Sequence, residues 1–159
     1  MSFKWASLTN IFLSLFMAAL LSVLFTIGQG NHISIDGYLF TFAWALAGSL
    51  VVAFVVPLPR MGGWWARQMG ADAMNDKSGM PFFLDSMIQV AFFLVCVNAI
   101  LTSALSGFGT IDGMSWFDRW WGMNLQFYAV AFVAYLVCCP LASAIASKIT
   151  GEKKPTVVE

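Results

Sequence analysis

Each half of this chain contains the same ordered set of landmark residues. The set is an alanine followed by an aromatic residue, then a proline, a cation and a glycine, at identical intervals in both halves. In the first half these residues are Ala53, Phe54, Pro59, Arg67 and Gly70. In the second half they are Ala134, Tyr135, Pro140, Lys148 and Gly151. The chain is therefore interpreted as a two-helix unit that occurs twice.

Four apolar runs are long enough to be membrane-spanning helices, because about 20 residues cross the hydrocarbon core. They cover residues 8–27, 38–56, 83–105 and 120–145. The 159 residues are 60% hydrophobic and 10% charged, with mean hydropathy +0.79. Soluble domains have about a quarter charged residues, and a soluble fold of this size could not hide so much apolar surface. The composition predicts an all-α membrane protein with four transmembrane helices arranged as two parallel-repeat hairpins.

Proline positions and polar segments divide the predicted protein. Pro57-Leu58-Pro59 is expected to end the second span, and Pro140 is expected to kink the fourth. Residues 1–70 form the first two-helix repeat, 71–81 a cytoplasmic linker, 82–151 the second repeat and 152–159 a flexible tail. The segment after Pro59, which contains Trp64 and Trp65, is expected to continue as a helix at the membrane interface.

The positions of the cations predict the orientation. Seven of the eight lie on the side shared by the N-terminus, the central loop and the C-terminus: Lys4, Arg60, Arg67, Lys77, Lys148, Lys153 and Lys154. Arg119 lies on the other side, beside Asp118, where both are interpreted as part of an interfacial anchor. The positive-inside rule then places both termini in the cytoplasm. The zero net charge argues against a nucleic-acid partner.

The repeated pattern resembles a family of short bacterial membrane proteins, domain of unknown function 2798, present here as two tandem copies. The matching residues of the first copy are Ser22, Thr26, Gly30, Trp44, Ala53, Pro59 and Arg60. Those of the second are Asn98, Thr102, Gly109, Trp120, Ala134, Pro140 and Lys148. The second copy departs from the pattern with Asn98 in place of Ser22 and with a later cation. The resemblance implies a multi-pass protein of the bacterial cytoplasmic (inner) membrane and carries over no active-site residues.

Polar residues inside the predicted spans are the candidate functional residues, since such groups are costly in hydrocarbon. Ser22 and Thr26, and likewise Asn98 and Thr102, are four residues apart, so each pair lies on one helix face. The two pairs are expected to face each other as a polar seam. Other candidates are Gln89, four residues after Asp85 near the start of the third span, and Asn124 and Gln126 in the fourth. Interhelical hydrogen bonding is the plainer interpretation of these residues; a conduit is the alternative.

Patterns of catalysis or metal binding are missing from the sequence. It contains no catalytic motif, and one histidine with scattered methionines suggests neither a metal site nor a cofactor. Cys96, Cys138 and Cys139 lie in apolar runs and are interpreted as small buried hydrophobes.

Two functions are compatible with this sequence. The first is an accessory or interaction subunit without enzymatic activity, which associates with the lipid bilayer and with copies of itself or a larger membrane partner. Small residues in the second and fourth spans favour it, namely Ala43, Ala47, Gly48, Ala142, Ser143, Ala146 and Ser147. The alternative is a small transporter or channel with a polar seam between the repeats. A solvent-connected cavity containing Asn98 and Thr102 would favour the alternative.

Overall fold

A computed structural model describes residues 3–28, 34–70 and 79–152 as an all-α fold. The five helices are α1 (Phe3–Gly28), α2 (Ile35–Val55), α3 (Leu58–Gln68), α4 (Met80–Ser106) and α5 (Trp116–Thr150). Four of them, α1, α2, α4 and α5, are long and apolar enough to cross a membrane. The four expected apolar helices are therefore confirmed. The tail after Glu152 and most of the predicted linker lie outside the described residues. Helix α4 begins at Met80, inside the 71–81 segment.

Local signals in the sequence explain where the helices begin and end. Ser34 caps α2 by accepting a hydrogen bond from the Gly37 amide. Ser115 and Asp118 form a reciprocal capping box at the start of α5, in which each side chain accepts a hydrogen bond from the other residue's amide. Gly151 follows α5 in the left-handed conformation, with φ of 71°, which glycine adopts without steric cost. Asp118 therefore caps a helix.

Proline acts differently in the two halves. Pro57 forces the preceding Val56 into an extended conformation, with ψ of 125°, and α2 ends at Val55 as expected. A separate helix, α3, then begins at Leu58, so the segment after Pro59 does not continue α2. The second half has Cys138 where the first has Pro57, and α5 continues through Pro140 to Thr150. One extra proline thus divides a segment that is a single helix in the other half.

The four long helices pack as a closed ring in the order α1, α2, α4, α5, and α3 packs against α4. The Trp5 indole, at the start of α1, donates a hydrogen bond of 2.8 Å to Ser147 Oγ near the end of α5. The N-terminal end of α1 therefore lies beside the C-terminal end of α5, as antiparallel packing requires. The core contains Met17, Leu21, Phe25, Leu94, Val97 and Leu101, each almost fully buried.

The two faces of small residues are used differently. Ala142, Ser143 and Ala146 of α5 are buried inside the bundle. In α2, Gly48 is buried against Ile100, but Ala43 and Ala47 lie on the exposed face of the helix. Large apolar residues surround these two alanines, among them Phe40, Trp44 and Val51. One small-residue face is consequently used within the bundle, while part of the other lies on its outside.

Candidate functional site: two buried polar clusters

Asn98, Asn124 and Thr102 form a polar cluster, here called the amide cluster, within the α4–α5 pair. Asn98 is 1% exposed, and its Nδ2 donates to Asn124 Oδ1 over 2.9 Å. Asn124 Nδ2 in turn donates to the Trp120 carbonyl over 2.9 Å. Asn98 Oδ1 and Thr102 Oγ1 are buried without a hydrogen-bond partner among the described residues. Helices α4 and α5 are thus joined by an amide pair, and two further polar atoms of the cluster have no partner among the described residues.

Ser22 and Thr26 of α1 are also buried, but their hydroxyl groups bond within their own helix. Ser22 Oγ donates to the Ala18 carbonyl over 2.6 Å, and Thr26 Oγ1 donates to the Ser22 carbonyl over 2.8 Å. A side-chain hydroxyl can make this bond to the carbonyl four residues earlier in its own helix. The hydrogen bond that Asn98 makes across helices therefore goes to Asn124, and the α1 pair satisfies itself locally.

The Asn98–Asn124 pair has a signal in the sequence. Asn98 lies eight residues before the end of α4 at Ser106, and Asn124 lies eight residues after the start of α5 at Trp116. Residues at equal distances from a short helix–helix turn lie at about the same depth in an antiparallel pair, because both helices rise 1.5 Å per residue. Matching the polar residues of α4 and α5 by their distance from the connecting turn therefore pairs these two asparagines.

We expect Asn98→Leu to lower the free energy of unfolding by about 1–2 kcal/mol, because Asn124 Oδ1 then loses its buried donor. The double variant Asn98→Leu/Asn124→Leu should cost less than the sum of the single changes, since it leaves neither amide without its partner. Gln126→Leu serves as the control, because Gln126 is exposed and lies on α5, as Asn124 does. Unfolding of the four variants in mild detergent measures the coupling, and strictly additive costs would contradict the pairing.

A second set of residues, Asp85, Gln89 and Tyr135, is here called the carboxyl cluster. Gln89 Nε2 donates to Asp85 Oδ2 over 2.7 Å, and the Tyr135 hydroxyl donates to Gln89 Oε1 over 3.1 Å. The amide of Gln89 thus bridges a carboxylate of α4 and a phenol of α5. Asp85 Oδ1 is buried and has no hydrogen-bond partner among the described residues. Cys139 lies one turn beyond Tyr135 on α5.

Helix α3 covers the carboxyl cluster. Its buried face consists of Leu58, Gly62 and Ala66, and Gly62 lies directly over Asp85. A Cβ atom at Gly62 would lie 2.7 Å from the Asp85 carbonyl oxygen and 2.9 Å from Gln89 Cγ, and it would also collide with the Asp85 carboxylate. Only glycine permits this approach. Because α3 covers it, Asp85 is more enclosed than its position near the start of the third span suggests.

An apolar layer separates the two clusters. Gln89 and Asn98 are nine positions apart on α4, which corresponds to about 13 Å along the helix. Val90, Phe93, Leu94 and Val97 lie between them and are buried in the core. A surface groove between α2 and α4 is lined by Trp44, Ala99, Ile100, Ser103 and Ala104, so neither Asn98 nor Thr102 lines it. In this conformation Asn98 and Thr102 lie in one buried cluster, and Asp85 and Gln89 lie in another.

Arg119 has a different environment from the one the sequence suggested. It is 8% exposed, and its guanidinium donates to the carbonyls of Gly107, Gly109 and Met114 over 2.9, 2.8 and 2.9 Å. A planar guanidinium presents several donors in a fixed arrangement, which suits the free carbonyls of a helix end and its loop. Arg119 therefore closes the α4–α5 loop onto the bundle, and the interfacial-anchor interpretation misses this contact.

Side chains that could jointly hold a metal ion do not gather in the described part of the chain, where no group of three or more His, Cys, Asp or Glu residues is close enough. The carboxyl cluster offers one carboxylate, one amide oxygen and one phenol. It can exchange hydrogen bonds or bind a proton. The sequence marks Tyr135 only as a landmark of the repeat, and neither Tyr135 nor Gly62 was selected as a candidate functional residue, because both join the cluster through contacts between distant segments.

No protein-family model, curated protein or solved structure matches this chain. The resemblance to the family of short bacterial membrane proteins stays a prediction.

Proposed function

We propose that this chain is a four-span protein of the bacterial cytoplasmic membrane, with both termini in the cytoplasm. The distribution of charge between the ends of the bundle supports this orientation. Lys4, Arg60, Arg67 and Lys148 lie at the end where α1 begins and α5 ends, and all four are exposed. Three acidic residues, Asp36, Asp112 and Asp118, lie at the opposite end. The positive-inside rule assigns the cationic end to the cytoplasm.

In this proposal the two hairpins are parallel repeats related by a two-fold axis along the membrane normal. The ring of helix contacts is compatible with such an axis, since rotation by half a turn would exchange α1 with α4 and α2 with α5. The α1–α2 contact then corresponds to α4–α5, and α2–α4 corresponds to α5–α1. An inverted repeat would require the two hairpins to enter the membrane from opposite sides.

The proposed role is that of an accessory or interaction subunit without catalytic chemistry. The observation that carries it is the exposed face of α2, where Ala43 and Ala47 are one helical turn apart. Small residues at this spacing let the backbones of two membrane helices approach closely. On α5, Ala142, Ser143 and Ala146 are already covered within the bundle. The α2 face is consequently the surface offered to a second copy or to a larger membrane partner.

Self-association through this face is expected to be lost in Ala43→Leu/Ala47→Leu, because bulky side chains would hold the two helices apart. Ala129→Leu is the control, since Ala129 is an alanine on α5 and lies outside this face. Native mass spectrometry in mild detergent should give dimers or larger species for the unchanged protein and for the control, and monomers for the double variant. A monomeric unchanged protein would contradict self-association.

The carboxyl cluster favours a second candidate function, a small transporter. Asp85 carries a buried oxygen without a partner among the described residues, and an acidic side chain within a span can bind a transported proton or cation. The apolar layer between the clusters counts against a continuous conduit. If the protein transports protons, liposomes that contain it and a pH-sensitive dye should show a proton flux. The Asp85→Asn variant should then show no such flux. The accessory role predicts no flux above that of empty liposomes. It also predicts that the Asp85→Asn variant still self-associates.

A further inference from the structure

Helix α3 has two faces of opposite character. Arg60, Trp64 and Arg67 lie four and three residues apart in sequence, so they form one stripe along the helix. All three are exposed, and Trp64 is 58% exposed although it is a large apolar residue. The opposite face is docked on α4 through Leu58, Gly62 and Ala66. Because this docking orients α3, the stripe points away from the bundle.

The exposed side chains near this stripe are mainly cationic among the residues that the structure describes. Lys4 and Lys148 are exposed at the same end of the bundle. Among the described residues, the acidic side chains at this end are Asp85, which lies beneath the docked face of α3, and Glu152, just after α5. The stripe therefore combines two outward cations with an indole between them.

We propose that the stripe of Arg60, Trp64 and Arg67 is a binding site for anionic phospholipid headgroups of the cytoplasmic leaflet. Guanidinium groups bind phosphate oxygens in a bidentate manner. The indole of tryptophan favours the headgroup region, where its ring is buried and its N–H stays hydrated. Arg60 and Arg67 are about 10 Å apart along the helix axis, so each can hold a separate phosphate. This inference rests on the proposed membrane orientation.

The experiment titrates the purified full-length protein in mild detergent with phosphatidylglycerol or phosphatidylcholine and counts retained lipids by native mass spectrometry. Both lipids contain a phosphate, but only phosphatidylglycerol has a net negative headgroup. We expect the unchanged protein to retain phosphatidylglycerol in preference to phosphatidylcholine. This preference should fall about fivefold in Arg60→Gln and about fivefold in Arg67→Gln. The preference should also weaken at high salt, because exposed charges are screened.

Lys148→Gln is the matched control, because it removes an exposed cation from the same end but not from α3. It should retain most of the preference for phosphatidylglycerol. Equal retention of the two lipids would overturn the proposal, and so would an undiminished preference in Arg60→Gln/Arg67→Gln. An equal loss of the preference in all variants, including Lys148→Gln, would indicate a diffuse charge effect. That result would also contradict a lipid site at the stripe.

A second readout separates this inference from the proposed membrane placement. Bilayers with brominated phosphatidylglycerol should quench the Trp64 fluorescence, measured as the difference between the unchanged protein and Trp64→Phe, more strongly than brominated phosphatidylcholine. If the protein enters both bilayers with α3 on the cytoplasmic side but the two brominated lipids quench Trp64 equally, the lipid site is contradicted. The proposed membrane placement is then unaffected. A protein that does not enter the bilayer contradicts the membrane proposal itself.

Discussion

Gly62→Ala is expected to release α3 from the bundle. The added Cβ would meet the backbone oxygen of Asp85 at 2.7 Å, and a backbone atom cannot be moved aside as cheaply as a side-chain end. Overpacking of this kind costs about 1–3 kcal/mol. Since the affected contact is local, its loss should appear as faster hydrogen exchange of the α3 amides before it appears in global unfolding.

Gly63→Ala provides a close control for this change. Apart from its chain neighbours and the nearby backbone of α3 itself, no described atom lies within 4 Å of the position that a Cβ on Gly63 would take. The same chemical change one residue further should therefore leave α3 docked, and it should stabilise the helix by up to about 1 kcal/mol, because alanine is the better helix former. Equal exchange rates in the two variants would show that Gly62 is not needed for α3 to cover Asp85.

Arg119→Met is expected to destabilise the end of the bundle that carries the α4–α5 loop, by about 2–4 kcal/mol. The change removes three hydrogen bonds from a charged donor to the carbonyls of Gly107, Gly109 and Met114. Arg119→Lys should recover only part of this loss, because an ammonium group lacks the planar fork that reaches several acceptors at once. Unfolding in mild detergent measures both variants, and a change below about 0.5 kcal/mol for Arg119→Met would contradict this role.

The helices of this protein could be predicted from the sequence because their determinants are local. Apolar run length predicts the four long helices, and Pro57 acts on the conformation of its direct neighbour, Val56. The docking of α3 could not be predicted in the same way. It depends on Gly62 meeting Asp85, and neither hydrophobic periodicity nor charge indicates which segment covers a given helix.

For the candidate site too, burial could be predicted from the sequence more readily than contacts between distant residues. Burial of Asn98 and Thr102 follows from the cost of exposing polar groups to an apolar surrounding, and both are almost fully buried. Which residue Asn98 pairs with depends on the register between the helices, and its partner is Asn124, not Ser22 or Thr26 of α1. Tyr135 joins Gln89 through a contact between residues 46 positions apart, which no local pattern encodes.

Cysteine labelling of intact cells tests the four-span topology most directly. Single cysteines are placed at Phe108 in the α4–α5 loop and at Gln68 on α3, both exposed, after Cys96, Cys138 and Cys139 are replaced by serine. A membrane-impermeant maleimide should label Phe108→Cys in intact cells and Gln68→Cys only after the membrane is opened. Labelling of Gln68→Cys in intact cells, or of Phe108→Cys only in opened cells, would contradict the proposed placement of both termini in the cytoplasm.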